Sequence, residues 1–274
     1  MNEMYYNDDP RTRYYFYRQK DYTPGANGAA PNQADLPCSV KPHPAHYPAD
    51  MIYCNVGDGY WGRDHGQYEG IPPDATKRTA VGVYPAGGKF DDDDFTTATL
   101  GTGGVGAGIL PIMLASWVDL MKAEMAMTSN PANGNVHLQN SLDKSIGKVM
   151  SSIILDPDAD PSFAPTAAEV TSYITNTISY FNSASSDVKW EIFANEVLIS
   201  HYGNGIDAFN FYRRTGYPHS LQYTIEPNAG ALVRTLKYPA GEANTNGNIV
   251  QRPDVTTQVF WDNNPAYPAF PIAN

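Results

Sequence analysis

The chain has 274 residues and a formal net charge of −11, from 18 lysines and arginines against 29 aspartates and glutamates. An acidic chain with no basic cluster is a poor nucleic-acid binder, because phosphate contacts need concentrated Lys and Arg. No run of about 18 apolar residues occurs, so no segment is predicted to cross a bilayer as a helix. The first residues, MNEMYYNDDPR, lack the basic and then apolar pattern of a signal peptide.

The chain divides into three parts by composition, and its length suits one large domain. Residues 1–107 are rich in Tyr, Pro, Gly and Asp and show little helical periodicity, which predicts long ordered loops. Residues 108–213 carry helical patterns, and residues 214–274 return to loop, with a short strand predicted at 231–236. Because the first part has no periodic core of its own, we expect it to pack on the helices.

Two helices are predicted directly after the loop-rich part. The first covers residues 109–127, with Pro111 in its first turn and apolar residues on one face. The second ends before DPDADP at 156–161. The apolar residues of these faces are Ile109, Met113, Trp117, Leu120 and Met121 in the first helix, and Leu142, Ile146, Val149 and Ile153 in the second.

Two further helices complete the predicted helical body, followed by a short one near 206–213. The third opens with a capping box, in which Thr166 precedes Glu169 by three residues. The fourth covers about 187–202 and is apolar over most of its circumference, so it is predicted to be buried on more than one side. We expect the helices to pair as antiparallel hairpins.

The segment GTGGVGAG at 101–108 contains the pattern G-x-G-x-x-G. This pattern holds a dinucleotide only between a strand and a helix. Here an acidic loop, DDDDFTTATL, precedes it. We therefore expect a flexible entry to the next helix and no cofactor.

The segment DPDADP spaces three aspartates as a calcium-binding loop does. Pro161 and Ala167 stand where an EF-hand needs Gly and Glu, so an EF-hand is excluded. An irregular calcium site, here or at Asp91–Asp94, and a solvated acidic turn both stay open.

Glu124 lies on the apolar stripe of the first helix, seven residues after Trp117. A lone buried carboxylate has a raised pKa, which would suit a general acid. A structural carboxylate paired with Arg213 or Arg214 is the interpretation that we favour. No pair of carboxylates stands out as a glycosidase pair and no G-x-S-x-G occurs, so the sequence gives no positive indication of an enzyme.

The two cysteines, Cys38 and Cys54, lie in the loop-rich part. They could form a disulfide in an oxidising compartment or remain thiols, and both alternatives stay open. The Cys and His spacing of a zinc site does not occur.

Aromatic residues in the loops are the most informative feature of the sequence. Trp117 and Trp190 fall in helical patterns and are predicted to lie in the core, but other aromatics stand among Gly, Pro and Asp. Aromatic faces bury the CH faces of sugar rings, and nearby polar groups bond the hydroxyls. The alternative is a small core under the loop. The candidate ligand-binding residues are Tyr60, Trp61, Arg63, Asp64, His65, Tyr68 and Tyr84.

Seven stretches, in this order along the chain, resemble the SusD/RagB family, in its SusD-like branch associated with starch binding. They are NDDPR at 7–11, GYWGRDHGQYEGIPPD at 59–74, RTAVGVYPAGGKFDD at 78–92, ILPIMLASWVDLMKAEMAM at 109–127, FYRRTGYP at 211–218, LKYPAGEANTNGN at 236–248 and VFWD at 259–262. The resemblance covers only the C-terminal part of such proteins. Their first half carries the export signal, the lipid-bearing Cys and most of the helices, so we expect a truncated sequence or a partial gene.

The resemblance implies a mainly α fold, a SusD-like, tetratricopeptide-like helical scaffold with long ordered loops and a few short strands, as one region over 1–274. It also implies an outer-membrane lipoprotein on the extracellular face of a Bacteroidota-type cell. Such a protein breaks no bond. It captures oligosaccharide or polysaccharide for nutrient uptake and delivers it to a SusC-like TonB-dependent transporter.

Three alternatives stay open beside this function. Some relatives of the architecture take peptides, for which a groove with unpaired backbone groups is expected. A structural partner of the transporter would use the loop aromatics as an interface and expose a large apolar face. A polysaccharide hydrolase, the least favoured, would need two carboxylates converging in a cleft, one of them with a raised pKa.

Overall fold

A computed structural model of the chain describes residues 1–19, 42–53, 55, 57–66, 78–228, 230–266 and 269–270. Within these ranges the fold is mainly helical, as predicted. The helices are α1 Asn2–Tyr6, α2 Thr12–Tyr15, α3 Ala115–Ser129, α4 Asn135–Met150, α5 Ala167–Ser183, α6 Ser186–Ser200, α7 Gly205–Thr215 and α8 Ala240–Thr245. Short 3-10 helices cover Gly57–Gly59, Pro131–Gly134, Ser151–Leu155 and Pro161–Phe163.

A two-stranded antiparallel sheet joins the N-terminal segment to the loop region. It pairs β1, Phe16–Tyr17, with β2, Ala80–Val81, in a register that places Phe16 opposite Val81. Two strand residues on each side are too few to be stable alone. The pairing therefore depends on the packing around it.

The main core lies between α3, α4, α5 and α6, with Phe211 of α7 at its end. α3 packs along α4, α4 along α5, and α5 along α6, so consecutive helices are neighbours. Trp117 is buried here, and its indole Nε1 donates to the Ser200 carbonyl at 2.9 Å. Trp190 packs against the same core. The prediction of a core residue is confirmed for Trp117, whereas Trp190 is partly buried at the edge of this core.

A second core forms where the N-terminal segment and residues 83–90 meet the end of α4. The fully or nearly fully buried residues are Met4, Tyr14, Tyr15, Val83, Tyr84, Phe90 and Val149. The Tyr15 hydroxyl also donates to the Ile199 carbonyl of α6 at 3.1 Å. The N-terminal segment thus lies against the helical body.

The capping box predicted at the third helix is present at the start of α5. Thr166 Oγ1 accepts from the Glu169 amide at 3.2 Å, and the Glu169 carboxylate accepts from the Thr166 amide at 2.7 Å. The predicted second and fourth helices correspond to α4 and α6, and the short helix to α7.

The start of the first predicted helix is wrong. α3 begins at Ala115, and residues 109–113 are not helical. The Ile109 amide donates to the Pro85 carbonyl at 2.7 Å, which holds this segment against another loop, and Met113 is exposed. The apolar spacing of this segment does not distinguish a loop from a helical turn. Pro111 does not decide between them either, because proline is tolerated in the first turn of a helix as well as in a loop.

The C-terminal part also differs from the prediction. Residues 231–236 form no strand, because the amides of Arg234 and Thr235 both donate to the single carbonyl of Val255 and no ladder results. α8, which was expected to be loop, follows Pro239.

The glycine-rich segment is a packing element. Gly103 has a φ of +68°, and a Cβ on it would lie 2.3 Å from the Gly88 carbonyl oxygen. A Cβ on Gly108 would lie 1.9 Å from the Pro85 carbonyl oxygen. Glycine is therefore required by the close approach of two backbone segments.

None of the helices in the described ranges is both long enough and apolar enough to span a membrane. Several apolar side chains of α3 are nevertheless exposed, namely Val118, Met121 and Met125.

Candidate functional site

Three of the aromatic residues predicted to bind ligand, Tyr60, Trp61 and Tyr84, are buried. The exposed fractions are 6% for Tyr60, 3% for Trp61 and 2% for Tyr84. The Arg18 guanidinium lies 4.7 Å from the centre of the Tyr60 ring, and the Trp61 amide donates to Thr79 Oγ1 at 2.8 Å. A stacking platform needs open ring faces, which these three buried rings do not present in this structure. Their ligand-binding role stays a prediction. The burial of Tyr60 and Trp61 agrees with the alternative, a small core under the loop.

Tyr84 does not join the other two rings. It stacks on Tyr15 with ring centres 5.4 Å apart, and Tyr15 stacks on Tyr202 at 4.5 Å. Tyr84 therefore belongs to the second core, whereas Tyr60 and Trp61 lie under the 57–66 loop. Tyr68 lies outside the described residues, as do Cys38 and Cys54, so the alternatives of a disulfide and of two thiols both stay open.

The polar members of the predicted site lie at the surface, where the 57–66 loop meets residues 221–226. Asp64 Oδ1 accepts from Gln222 Nε2 at 3.0 Å, and the His65 carbonyl accepts from the Ile225 amide at 2.8 Å. Burial raises the pKa of Asp64, against the hydrogen bond from Gln222. Arg63 is half-buried and His65 is exposed. The ligand-binding role of these residues stays a prediction.

The acidic segment Asp91–Asp94 is largely neutralised by cations of the chain. Arg18 Nε donates to Asp91 at 2.8 Å, Arg13 Nη1 to Asp93 at 2.7 Å, and Lys89 Nζ to Asp94 at 2.8 Å. Burial works to raise the pKa of Asp93, but the Arg13 hydrogen bond and charge hold it below its usual value.

The other predicted calcium segment is also engaged internally. Asp156 accepts from the Phe90 amide at 2.8 Å, and Asp160 accepts from the Ser162 amide at 2.8 Å. In the part of the chain that the structure describes, no group of three or more His, Cys, Asp or Glu side chains could hold a metal ion.

Glu124 has the partner that the sequence predicted. Arg214 Nε and Nη2 donate to its two oxygens at 2.9 and 2.7 Å. Arg213 instead donates to the Arg234 carbonyl and to Asn210, and its guanidinium lies 4.8 Å from the centre of a Trp261 ring. The interpretation of Glu124 as a structural carboxylate is confirmed.

A buried charged network, which the sequence did not reveal, ties the N-terminal segment to α5 and α6. Arg11 Nη2 donates to Asp9 Oδ2 at 2.6 Å and to Glu196 Oε2 at 2.8 Å. The Tyr173 hydroxyl donates to Glu196 Oε1 at 2.6 Å. Burial raises the pKa of Glu196, against the charge of Arg11 and with the charge of Asp9. Each carboxylate is occupied by internal donors, as a structural network requires.

A groove of about 420 Å³ opens above this network, between α1, α5 and α6. Sequence reasoning missed it because its exposed rings, Tyr6 and Tyr180, lie on helices and not in the long loops. The one available signal was Tyr180, which falls beside the apolar face formed by Ile174, Ile178 and Phe181 of the same helix.

These observations define a mainly helical protein with a rigid core, long ordered loops and an open polar groove lined by aromatic rings. The sequence matches the family profile described as SusD-like, starch-binding associating with outer membrane, over residues 46–239. The chain belongs to this SusD-like family. Comparisons with curated proteins and with solved structures gave no match.

Proposed function

We propose that this chain is a cell-surface binding protein that captures oligosaccharide and delivers it to a TonB-dependent outer-membrane transporter. The observation that carries the proposal is the family match over residues 46–239, since the family is described as starch-binding and associated with the outer membrane. The helical fold agrees with this family.

Three carboxylates in the described part of the chain support a function without catalysis. A glycosidase needs two carboxyl groups that face the scissile bond, with oxygens free for an acid and for a base or nucleophile. Asp9 and Glu196 share Arg11 instead, and Glu124 is held by Arg214.

The net charge of the chain narrows the class of ligand that it can bind. The net charge of −11 repels acidic ligands, whereas a neutral glycan meets no such barrier. The rigid helical core then serves as a support on which a binding surface is already formed before ligand arrives. Preformed surfaces bind more tightly because little conformational entropy is lost on association.

Native affinity electrophoresis tests the proposal. The purified chain is run in gels with and without soluble starch, glycogen or other neutral glucans, beside an acidic protein of similar size with no affinity for sugar. We expect slower migration only in a glucan gel, and no cleared zone when the starch gel is stained with iodine.

Unchanged migration in every glucan gel would overturn carbohydrate capture. A parallel titration with short peptides then distinguishes the alternatives, because saturable peptide binding alone identifies a peptide-binding member of the same architecture. A cleared zone in the starch gel identifies a hydrolase.

A further inference from the structure

The α1–α5–α6 groove has a rigid floor. Tyr173 and Glu196 lie at its base, and the Tyr173 hydroxyl donates a hydrogen bond to Glu196 Oε1 at 2.6 Å. Below them the side chains of Arg11 and Asp9 are fully buried. Groups held by a buried charged network lose little freedom when a ligand arrives, so the floor is already organised for binding.

Two aromatic rings at this groove are open to solvent. Tyr6 of α1 is 59% exposed and Tyr180 of α5 is 60% exposed. Tyr6 is held in place by Tyr5, which packs edge-on at 5.1 Å, and by Asn55, whose amide donates to the Tyr6 hydroxyl. Open ring faces are what the buried aromatics under the 57–66 loop do not provide.

The polar lining suits hydroxyl groups. Asn7, Asn176 and Asn195 line the groove, and a carboxamide both donates and accepts hydrogen bonds, as a sugar hydroxyl does. Asn7 Nδ2 is oriented by the Glu3 carbonyl at 2.8 Å. The side chain of Glu191 is in turn fixed by His219, whose amide donates to it at 3.0 Å.

The charges of the lining exclude acidic ligands. Among the described residues that line the groove, none is Lys or Arg. Its carboxylates are Glu196, which Arg11 neutralises, and Glu3, Asp8 and Glu191. Phosphate and sulfate groups need cationic partners and would be repelled here. A neutral sugar ring fits open aromatic faces beside amides and carboxylates.

We infer that the α1–α5–α6 groove is a binding site for neutral oligosaccharide. Tyr6 and Tyr180 stack on the CH faces of sugar rings, and the side-chain amides of Asn7, Asn176 and Asn195 bond the hydroxyls. This inference rests on the proposed carbohydrate-binding function and names its site.

Calorimetric titration with maltoheptaose and with cello-, laminari- and manno-oligosaccharides tests the inference. The chain is compared with Tyr180→Ala and Asn176→Ala, both at exposed positions of α5. Tyr238→Ala is the matched control, because its ring is also exposed but lies outside the groove. Far-ultraviolet circular dichroism and thermal unfolding verify that each variant is folded.

We expect Tyr180→Ala to weaken binding about tenfold, as the loss of one aromatic contact does, and Asn176→Ala to weaken it less. Tyr238→Ala should bind as the unchanged chain does. If Tyr180→Ala and Asn176→Ala both bind sugar as strongly as the unchanged chain, the groove assignment is overturned and the proposed function still stands.

Two other outcomes would contradict more than the position of the sugar site. Absence of saturable binding to the whole panel by the folded unchanged chain would contradict the proposed function itself. Binding of a lysine-rich peptide in place of sugar, if it is lost at high salt and in Glu3→Gln, would make the groove a cationic-peptide site. Glu3, Asp8 and Glu191 would then supply the attraction.

Discussion

Arg11 is the residue on which the interior of the N-terminal segment depends. Its side chain and that of Asp9 are fully buried, and Glu196 is nearly so. It also donates to Ser145 Oγ of α4 at 3.2 Å, so a single guanidinium connects α4 and α6 to the N-terminal segment. Asp9 and Arg11 both belong to the stretch NDDPR. Because they are buried and paired with each other, we assign them a structural role.

Replacement of Arg11 by methionine should be strongly destabilising. Arg11→Met leaves two buried carboxylates without their shared cation, a change that costs about 3–5 kcal/mol. Urea unfolding followed by circular dichroism measures this loss in the free energy of unfolding.

The matched control for that substitution is Arg214→Met. The Arg214 side chain is 44% exposed, and Glu124 can be solvated once the pair is broken. Exposed ion pairs contribute only about 0–1 kcal/mol, so this variant should stay close to the unchanged chain. An Arg11→Met variant as stable as Arg214→Met would contradict the structural role of the network.

At the residue scale, the sequence predicted which charged side chains pair better than it predicted which side chains are exposed to solvent. A carboxylate on an apolar stripe needs a cation, and this requirement predicted the pairing of Glu124 with Arg213 or Arg214. Burial of Tyr60 and Trp61 was not decided by the sequence, because Tyr and Trp suit both a core and a binding surface. The exposure of Tyr180 depends on where α1 and α6 lie, which local pattern does not specify.

At the scale of elements, the sequence predicted the start of a helix where a side-chain cap marks it. The capping box at α5 could be identified because Thr166 and Glu169 satisfy each other's backbone amides within one turn. No such signal marks the start of α3, where Leu114 is the N-cap residue and has no side-chain cap. The segment before it is held instead by the hydrogen bond from the Ile109 amide to the Pro85 carbonyl, which is distant in sequence.

Removal of the α5 cap should weaken the whole protein measurably. Thr166→Ala is expected to lower the free energy of unfolding by about 1 kcal/mol, because the Glu169 amide loses its acceptor. Urea unfolding measures the change. Ser172→Ala, at an exposed interior position of the same helix, is the control and should cause no loss, since Ala is the better helix former. Equal effects of the two substitutions would indicate that the cap contributes nothing.

At the scale of the whole molecule, helical periodicity and the ordered stretches of the family together predicted the fold class. The sites where the segments meet could not be predicted, because they join distant residues. Arg11 and Glu196 are 185 positions apart, and Asp9 and Tyr173 are 164 apart. The groove lies on these contacts, so it is visible only once the N-terminal segment is seated on α5 and α6.

The central claim is that a neutral oligosaccharide binds, uncleaved, in the α1–α5–α6 groove. The most direct measurement is the crystal structure of the chain grown with an excess of maltoheptaose. We predict density for an intact sugar chain in the groove, with rings against Tyr6 and Tyr180. A sugar bound instead at the Arg63, Asp64 and His65 surface, a cleaved product, or an empty groove at a saturating sugar concentration would contradict the claim.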